Sequence, residues 1–401
     1  MSTTPRHSRS AKRPRGQILV IVAVGMVIIV AAVGLVIDSG FAWGKQRQTQ
    51  NAADAAAEAG AVVLARRIAG AQPLSSDADV AAAVARAGSG NGVDTLDAFY
   101  TDLSGNLLDS AGASVASRSD AAAVGGGAIP PNTAGVQAVG AQTFPTFLAR
   151  VIGVDEFTTA ASATAVAGYL SEVCSAEDGC DVLPVAVPMT VLGCDGQNNP
   201  QPVVPAAFWV PSSDPIIVPL CKNGPGNVGW LDWRPPGGGT RELEQSIRYP
   251  DNDAMTIPDW FFVTATGNVN SALIENAINE TWGGKVVKIP QFDVTCDAQP
   301  TGTTVDACPA GHVGGNGQNQ WYHVPQFAAF QFCGGSPNPC AGTPYGQGAY
   351  VNGNNSTICD TGNGATSCLV GRFVYFIDHG TVGPGTGGSS PTGVLGVQLI
   401  K

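Results

Sequence analysis

Apolar positions are concentrated at one end of this chain. From Ile18 to Ile37 they are continuous: ILVIVAVGMVIIVAAVGLVI runs without a charged side chain. A helix rises about 1.5 Å per residue, so the run would extend roughly 30 Å, the thickness of a bilayer's hydrocarbon core. It lacks the polar face of a helix that packs on a soluble core. It also exceeds the roughly 7–15 apolar residues of a secretory signal, and Asp38-Ser39-Gly40-Phe41-Ala42-Trp43 makes a poor cleavage site. A membrane anchor is therefore expected. Arg6, Arg9, Lys12, Arg13 and Arg15 precede the run with no acidic residue among them, and Asp38 follows at once. Basic flanks stay on the cytoplasmic side, so the amino terminus is expected inside and the remaining chain outside.

The helix is expected to continue past the anchor. Lys45–Arg67 (KQRQTQNAADAAAEAGAVVLARR) is rich in Ala, Gln and Arg and has no proline. Arg47, Asn51, Asp54 and Glu58 fall along one helical stripe, and Ala52, Ala55, Ala56, Ala59, Val62 and Val63 form a face of small side chains. Such a face lets a second helix or a sheet approach closely. Gly40 and Gly44 make a single GxxxG match. A second helix is expected over Ala78–Ala87, ended by GSGNG, and a hairpin over Ala98–Leu108 with its turn at Ser104-Gly105-Asn106. Gly135–Ala167 reads as strand, a short helix around Phe147–Ile152, a turn at Gly153, and a second, alternating strand.

Beyond residue 170 the pattern shortens. Strand candidates are Val182–Val187, Pro202–Val210, Phe261–Thr266, Val286–Phe292, Tyr322–Phe332, Arg372–Ile377 and Val394–Ile400, separated by Gly- and Pro-rich turns, with one helix expected over Asn268–Thr281. The cysteines sharpen this boundary. All ten lie in this part, at Cys174, Cys180, Cys194, Cys221, Cys296, Cys308, Cys333, Cys340, Cys359 and Cys368. None has the two-residue spacing of a zinc site, and an even set outside the membrane reads as disulfides. Near-neighbour pairs such as Cys174–Cys180, Cys333–Cys340 and Cys359–Cys368 are natural guesses, although spacing does not fix connectivity.

Charge changes the list of partners. The chain carries 20 Lys+Arg against 31 Asp+Glu, and five of the basic residues are spent before Gly16. The rest is acidic, which argues against nucleic acid.

The amino-terminal residues carry a resemblance. GLVIDSG (Gly34–Gly40) followed by QRQTQNAADAAAEAGA (Gln46–Ala61) resembles the amino-terminal segment of TadG-like proteins of the Flp, or tight-adherence, pilus-assembly system. Gly34, Leu35, Asp38, Gly40, Gln50, Ala52, Ala53, Asp54, Ala55, Ala56, Ala59, Gly60 and Ala61 fall on that family's pattern. Glu58 departs from it, where the family commonly has an apolar residue. The motif covers about a tenth of the chain. It implies packing roles for Gly34, Asp38, Gly40, Gln50, Ala53, Asp54, Ala56 and Gly60, and contact with membrane lipid and with other pilus-assembly proteins or minor pilins. Prepilin-peptidase processing is not expected, because the fifth position after Gly16 is Ile21 rather than glutamate.

G-x-S-x-G, H-E-x-x-H, a P-loop and a dinucleotide-binding glycine motif are all absent from the sequence. Asp102-x-Ser104 resembles the start of the metal-adhesion motif of von Willebrand A-type domains, but Asn106 stands where that motif has serine, and a simple turn competes. Asp251 and Asp253, or Asp293, Asp297 and Asp306, could offer oxygens to calcium or be solvated loop charge. His312, His323 and His379 are scattered.

The expected architecture is α+β and membrane-anchored. A basic tail (1–15) leads to the anchor (16–40), then to the TadG-like helix with a small pilin-like α/β module (41–170) and a disulfide-bonded β-rich part (171–401). The expected function is non-enzymatic, with no cofactor, metal or small-molecule substrate: an accessory, minor-pilin-like or assembly component of a Flp/Tad-type pilus. A membrane-tethered adhesin or ligand-binding protein is the alternative.

Overall fold

The computed structural model describes residues 17–173, 181–189, 192–194, 200–202, 213–220, 229–231, 239–250, 255–263, 271–314, 319–352, 359, 367–383 and 393–400. The apolar run and the Ala-rich segment form one unbroken helix, α1 (Gln17–Ile68). No proline or glycine pair interrupts it, and Arg66 and Arg67 in its last turn complement the helix dipole. It stops at Gly70, whose φ of 72° turns the chain, while Ala71 N–H bonds back to Arg66 C=O at 3.0 Å. The second helix, α2 (Asp77–Gly90), begins with a capping box. Ser76 N–H donates to Asp79 Oδ2 at 2.7 Å, and Asp79 N–H donates to Ser76 Oγ at 3.3 Å. It runs three residues past the expected end at Ala87.

Strands β1 (Thr95–Thr101), β2 (Leu107–Leu108), β3 (Ser114–Val115), β4 (Gly135–Pro145) and β5 (Glu156–Leu170) follow. They build a sheet with neighbours β5-β4-β1-β2-β3. Register puts small residues on one face: Val136 opposite Ala165, Ala138 opposite Ala163, and Gly140 opposite Ala161. Tyr100, Ala98 and Leu96 of β1 continue that row. Ala53, Ala56, Ala57, Ala61, Leu64 and Ala65 of α1 and Val80 and Val84 of α2 pack against it. Small side chains on both surfaces let helix and sheet approach closely. A Cβ added at Gly60 would lie 2.9 Å from Val136 Cγ2 and 3.0 Å from Val84 Cγ2.

The sheet is completed from the far end of the chain. Strand Leu395–Ile400 pairs antiparallel with β5, matching Val397 to Ala167 and Leu395 to Tyr169. Ile377–His379 pairs parallel beyond it, and Val382–Gly383 also joins β5. Backbone hydrogen bonding thus crosses the sequence boundary at 170.

Most of the remaining described strands form a second sheet, in the order 216–220, 367–373, 326–332, 286–292, 185–188, 229–230, while 259–263, 320–324 and 294–296 make a separate three-stranded sheet. The expected strand 322–332 is two strands, Gln320–Val324 and Gln326–Phe332, interrupted at Pro325. Helices α3 (Thr240–Arg248) and α4 (Ala272–Trp282) cover a face of this sheet, burying Leu243, Ile247, Ile274, Ile278 and Trp282 against Val185, Ile289 and Phe330. Helix α3 is not expected from the sequence. Its two apolar residues, Leu243 and Ile247, sit one turn apart in an otherwise charged stretch. Trp282 Nε1–H closes the helix pair by donating to Ile247 C=O at 3.0 Å.

Asp77 ties α2 to the first sheet. Its carboxylate accepts from Tyr100 Oη–H at 2.6 Å, Gly125 N–H at 2.8 Å and Gly127 N–H at 2.7 Å. Burial works to raise this carboxyl. The Tyr100, Gly125 and Gly127 hydrogen bonds outweigh it and hold the group below its ordinary value. A carboxyl depressed on folding stabilises fully above its unfolded pKa, and that contribution is lost as pH falls through the folded value. Asp77→Asn should therefore cost about 1–3 kcal/mol at neutral pH. The gap to the parent protein should close progressively below roughly pH 4; denaturant titrations at several pH values would read this. Packing at Gly60 gives a separate expectation. Gly60→Leu should lower stability by about 1–3 kcal/mol through overpacking. Gly44→Leu, whose added Cβ meets nothing within 4 Å, should be neutral or mildly stabilising; thermal unfolding in detergent compares the two.

Candidate functional site

The feature most unlike an ordinary core lies where the apolar half of α1 meets its packed half. Between Leu19 and Gly40 only Gly34 and Asp38 are buried, and they are one turn apart. Both face the link between β4 and β5. There Ala149–Ile152 forms a single 3₁₀ turn, closed by Gly153 in the left-handed region. The Asp38 carboxylate accepts from Phe147 N–H at 2.8 Å, Leu148 N–H at 3.1 Å and Ala149 N–H at 2.7 Å. These donors open the turn and have no partner within it. Gly34 makes room for the same link, because a Cβ there would lie 2.8 Å from Leu148 Cβ. Phe41 adds edge-on contacts, with ring centroids 5.3 Å from Phe144 and 5.4 Å from Phe147.

Two aromatic residues are then followed one turn on by two basic ones. Lys45 lies over the Phe41 ring at 5.7 Å, and Arg47 over the Trp43 ring at 4.4 Å. One turn further, Gln46 Nε2–H donates to Ala160 C=O at 3.1 Å, and the Thr49 and Thr159 hydroxyls meet at 2.9 Å. These contacts seat the helix on β5.

The remaining motif residues divide clearly. Ala53, Ala56 and Gly60 are buried against the sheet or α2. Gln50 and Asp54 pair along the helix, Nε2–H to Oδ1, at 2.8 Å. Gly40 leaves open space beside it, since a Cβ added there or at Gly44 would meet nothing within 4 Å. Glu58 is exposed, so its departure from the family pattern leaves the packing undisturbed. The small-residue face is turned from the expected one: Ala55, Ala59, Val62 and Val63 are only half-buried, and the fully covered residues are Ala53, Ala57, Ala61 and Ala65 together with the expected Ala52 and Ala56. The sheet of this same chain covers that face, so it is not open to a partner helix.

Asp102 serves a turn. Its carboxylate accepts from Ser104 N–H and Asn106 N–H, each at 2.9 Å, and from Asn106 Nδ2–H at 3.0 Å. Two acidic residues of the 293–306 region pair with histidines. Asp293 Oδ1 lies 2.7 Å from Nδ1 of buried His323, whose Nε2 faces Thr303 C=O at 3.1 Å. Asp297 Oδ1 lies 2.6 Å from His312 Nδ1. Disulfides join Cys296–Cys308, Cys333–Cys340 and Cys359–Cys368. The side chains of Cys174, Cys180, Cys194 and Cys221 lie outside the described residues, as do the basic tail 1–15, Asp251, Asp253 and most of the candidate strand Pro202–Val210.

Phe147, Leu148 and Ala149 are the part of this junction that motif reading missed. The available signal was the short apolar helix expected around Phe147–Ile152; nothing in it named Asp38 as its partner. No curated protein and no solved structure matches the chain. Residues 16–65, which hold the apolar run, Gly34, Asp38 and the buried Ala face, match the Tad family model, described as "Putative Flp pilus-assembly TadE/G-like".

Proposed function

We propose that this chain is a single-pass, membrane-anchored accessory of a Flp/Tad-type pilus system, minor-pilin-like or acting in assembly. It works by protein–protein contact rather than by catalysis. Its amino terminus is cytoplasmic and its β-rich body lies outside the membrane. The supporting observation is that the family match coincides with one rigid helix of two characters. Its first half is apolar and, apart from the side that carries Gly34 and Asp38, largely exposed, and is long enough to cross a membrane. Its second half is fixed to the chain's own sheet. Five basic residues before the helix support the orientation.

With the Ala face occupied in cis, partners would meet the apolar rod, the solvent-facing stripe of Asn51, Glu58 and Arg66, or the outer body. Photocrosslinking in cells from Asn51 or Glu58 should capture another pilus-system component, and deletion of the gene should abolish or reduce pili. Normal pili with lost surface attachment would overturn the assembly reading in favour of an adhesin. A carboxyl-terminal reporter active only in the cytosol would overturn the topology.

A further inference from the structure

The β4–β5 tip leaves apolar side chains in the open. Val151 is 80% exposed, Phe147 55%, and Leu148 and Val154 37% each. Soluble loops seldom present such a cluster without an occupant. The contact with Gly34 sets its level along α1. Gly34 lies three residues inside the end of the apolar run at Ile37, about 4–5 Å at 1.5 Å per residue. The neighbouring Val33, Leu35, Val36 and Ile37 are themselves exposed. Tip and rod therefore present one continuous apolar surface.

We propose that residues 147–154 dip into the outer leaflet of the bilayer that α1 crosses, giving the protein a second, shallow membrane contact beside its anchor. This rests on the anchor reading above. Three further observations agree with it. First, lipid offers no hydrogen bonds, so a segment entering it must satisfy its backbone internally. Asp38 takes the N–H groups of Phe147, Leu148 and Ala149. Thr146 N–H bonds to Asp155 C=O, Val151 N–H to Leu148 C=O, Gly153 N–H to Arg150 C=O and Val154 N–H to Ala149 C=O. Second, the one basic side chain of the tip, Arg150, is exposed. Its long stem can carry the guanidinium to headgroup phosphates. Third, the flanking level carries Phe41, Trp43, Lys45 and Arg47, the aromatic and basic residues that settle at a membrane–water boundary. Asp155 and Glu156, both exposed, bound the depth, because their charges remain in water.

The test places p-benzoyl-phenylalanine singly at Ile28, Val151 and Leu273 in the full chain, reconstituted in phosphatidylethanolamine–phosphatidylglycerol vesicles. Irradiated samples are scored by mass spectrometry for lipid adducts. Val151 is solvent-facing in the fold, so the substitution displaces no packed side chain. Lipid adducts at Ile28 and Val151, with none at exposed Leu273 of α4, are expected. Adducts at Ile28 but not Val151 overturn tip insertion and leave the anchor intact. Adducts at neither overturn the anchor reading itself. Equal adducts at Val151 and Leu273 overturn a specific insertion, and a Val151 crosslink to a second copy of the chain in place of lipid overturns it in favour of a protein contact.

Discussion

One carboxylate holds two unlike halves of this molecule in register. Asp38 stands directly after the continuous apolar run of α1, where a charge would ordinarily stay hydrated. It is buried all the same, because three backbone N–H groups of the β4–β5 tip converge on it. Hydrogen bonds to an ionised acceptor are among the stronger ones available. Each partner answers the other's need: the tip loses its orphan donors and the carboxylate regains what desolvation removed. Glycine at position 34 is the steric half of the same device, since any larger residue would push Leu148 away. The tip can neither slide along the helix nor rotate about it without losing both contacts.

From that fixed point the rest follows by close packing. Ala and Gly dominate α1 from Ala52 to Ala65, and Ala, Gly and Val dominate the facing rows of β4 and β5. Small side chains contribute little apolar area each, so their value lies in proximity. A dense interface of this kind tolerates added volume poorly. The strand Leu395–Ile400 then extends the row through Leu395 and Val397, which makes the last residues of the chain part of the support for its first helix.

The sequence reading reached what is local. Continuous apolarity, a proline-free Ala segment, a Ser-Gly-Asn turn and the strand–turn–strand of 135–167 are all written in short windows, and each formed close to where it was expected. The non-local pairings were out of reach. Nothing near Val397 says that it lies beside Ala167 rather than against the cysteine-bearing strands next to it in sequence. Helix α3 was missed because two apolar residues in nine give almost no periodic signal. At the junction the outcome was split. The motif pointed to Gly34 and Asp38, yet their partner lies 109 residues further on, and only the fold brings the two together. The small-residue face was legible as a close-packing surface, but its periodicity could not say that the chain's own sheet would be the occupant.

That occupancy changes how the Ala-rich motif acts. A free Ala face would let the helix join a bundle, and the body would hang from it by a hinge. With the face filled by β4, β5 and the carboxyl-terminal strand, the rod and the first sheet move as one body. The second sheet is linked to it at several places. Val394 N–H bonds to Phe327 C=O at 3.1 Å, and Leu170, Phe292, Phe327 and Val394 share one core cluster. A lone helix is free to rotate about its axis unless something off-axis resists. In this molecule the off-axis element is the tip that Asp38 holds. A helix held this way fixes the direction in which the body faces as well as its attachment.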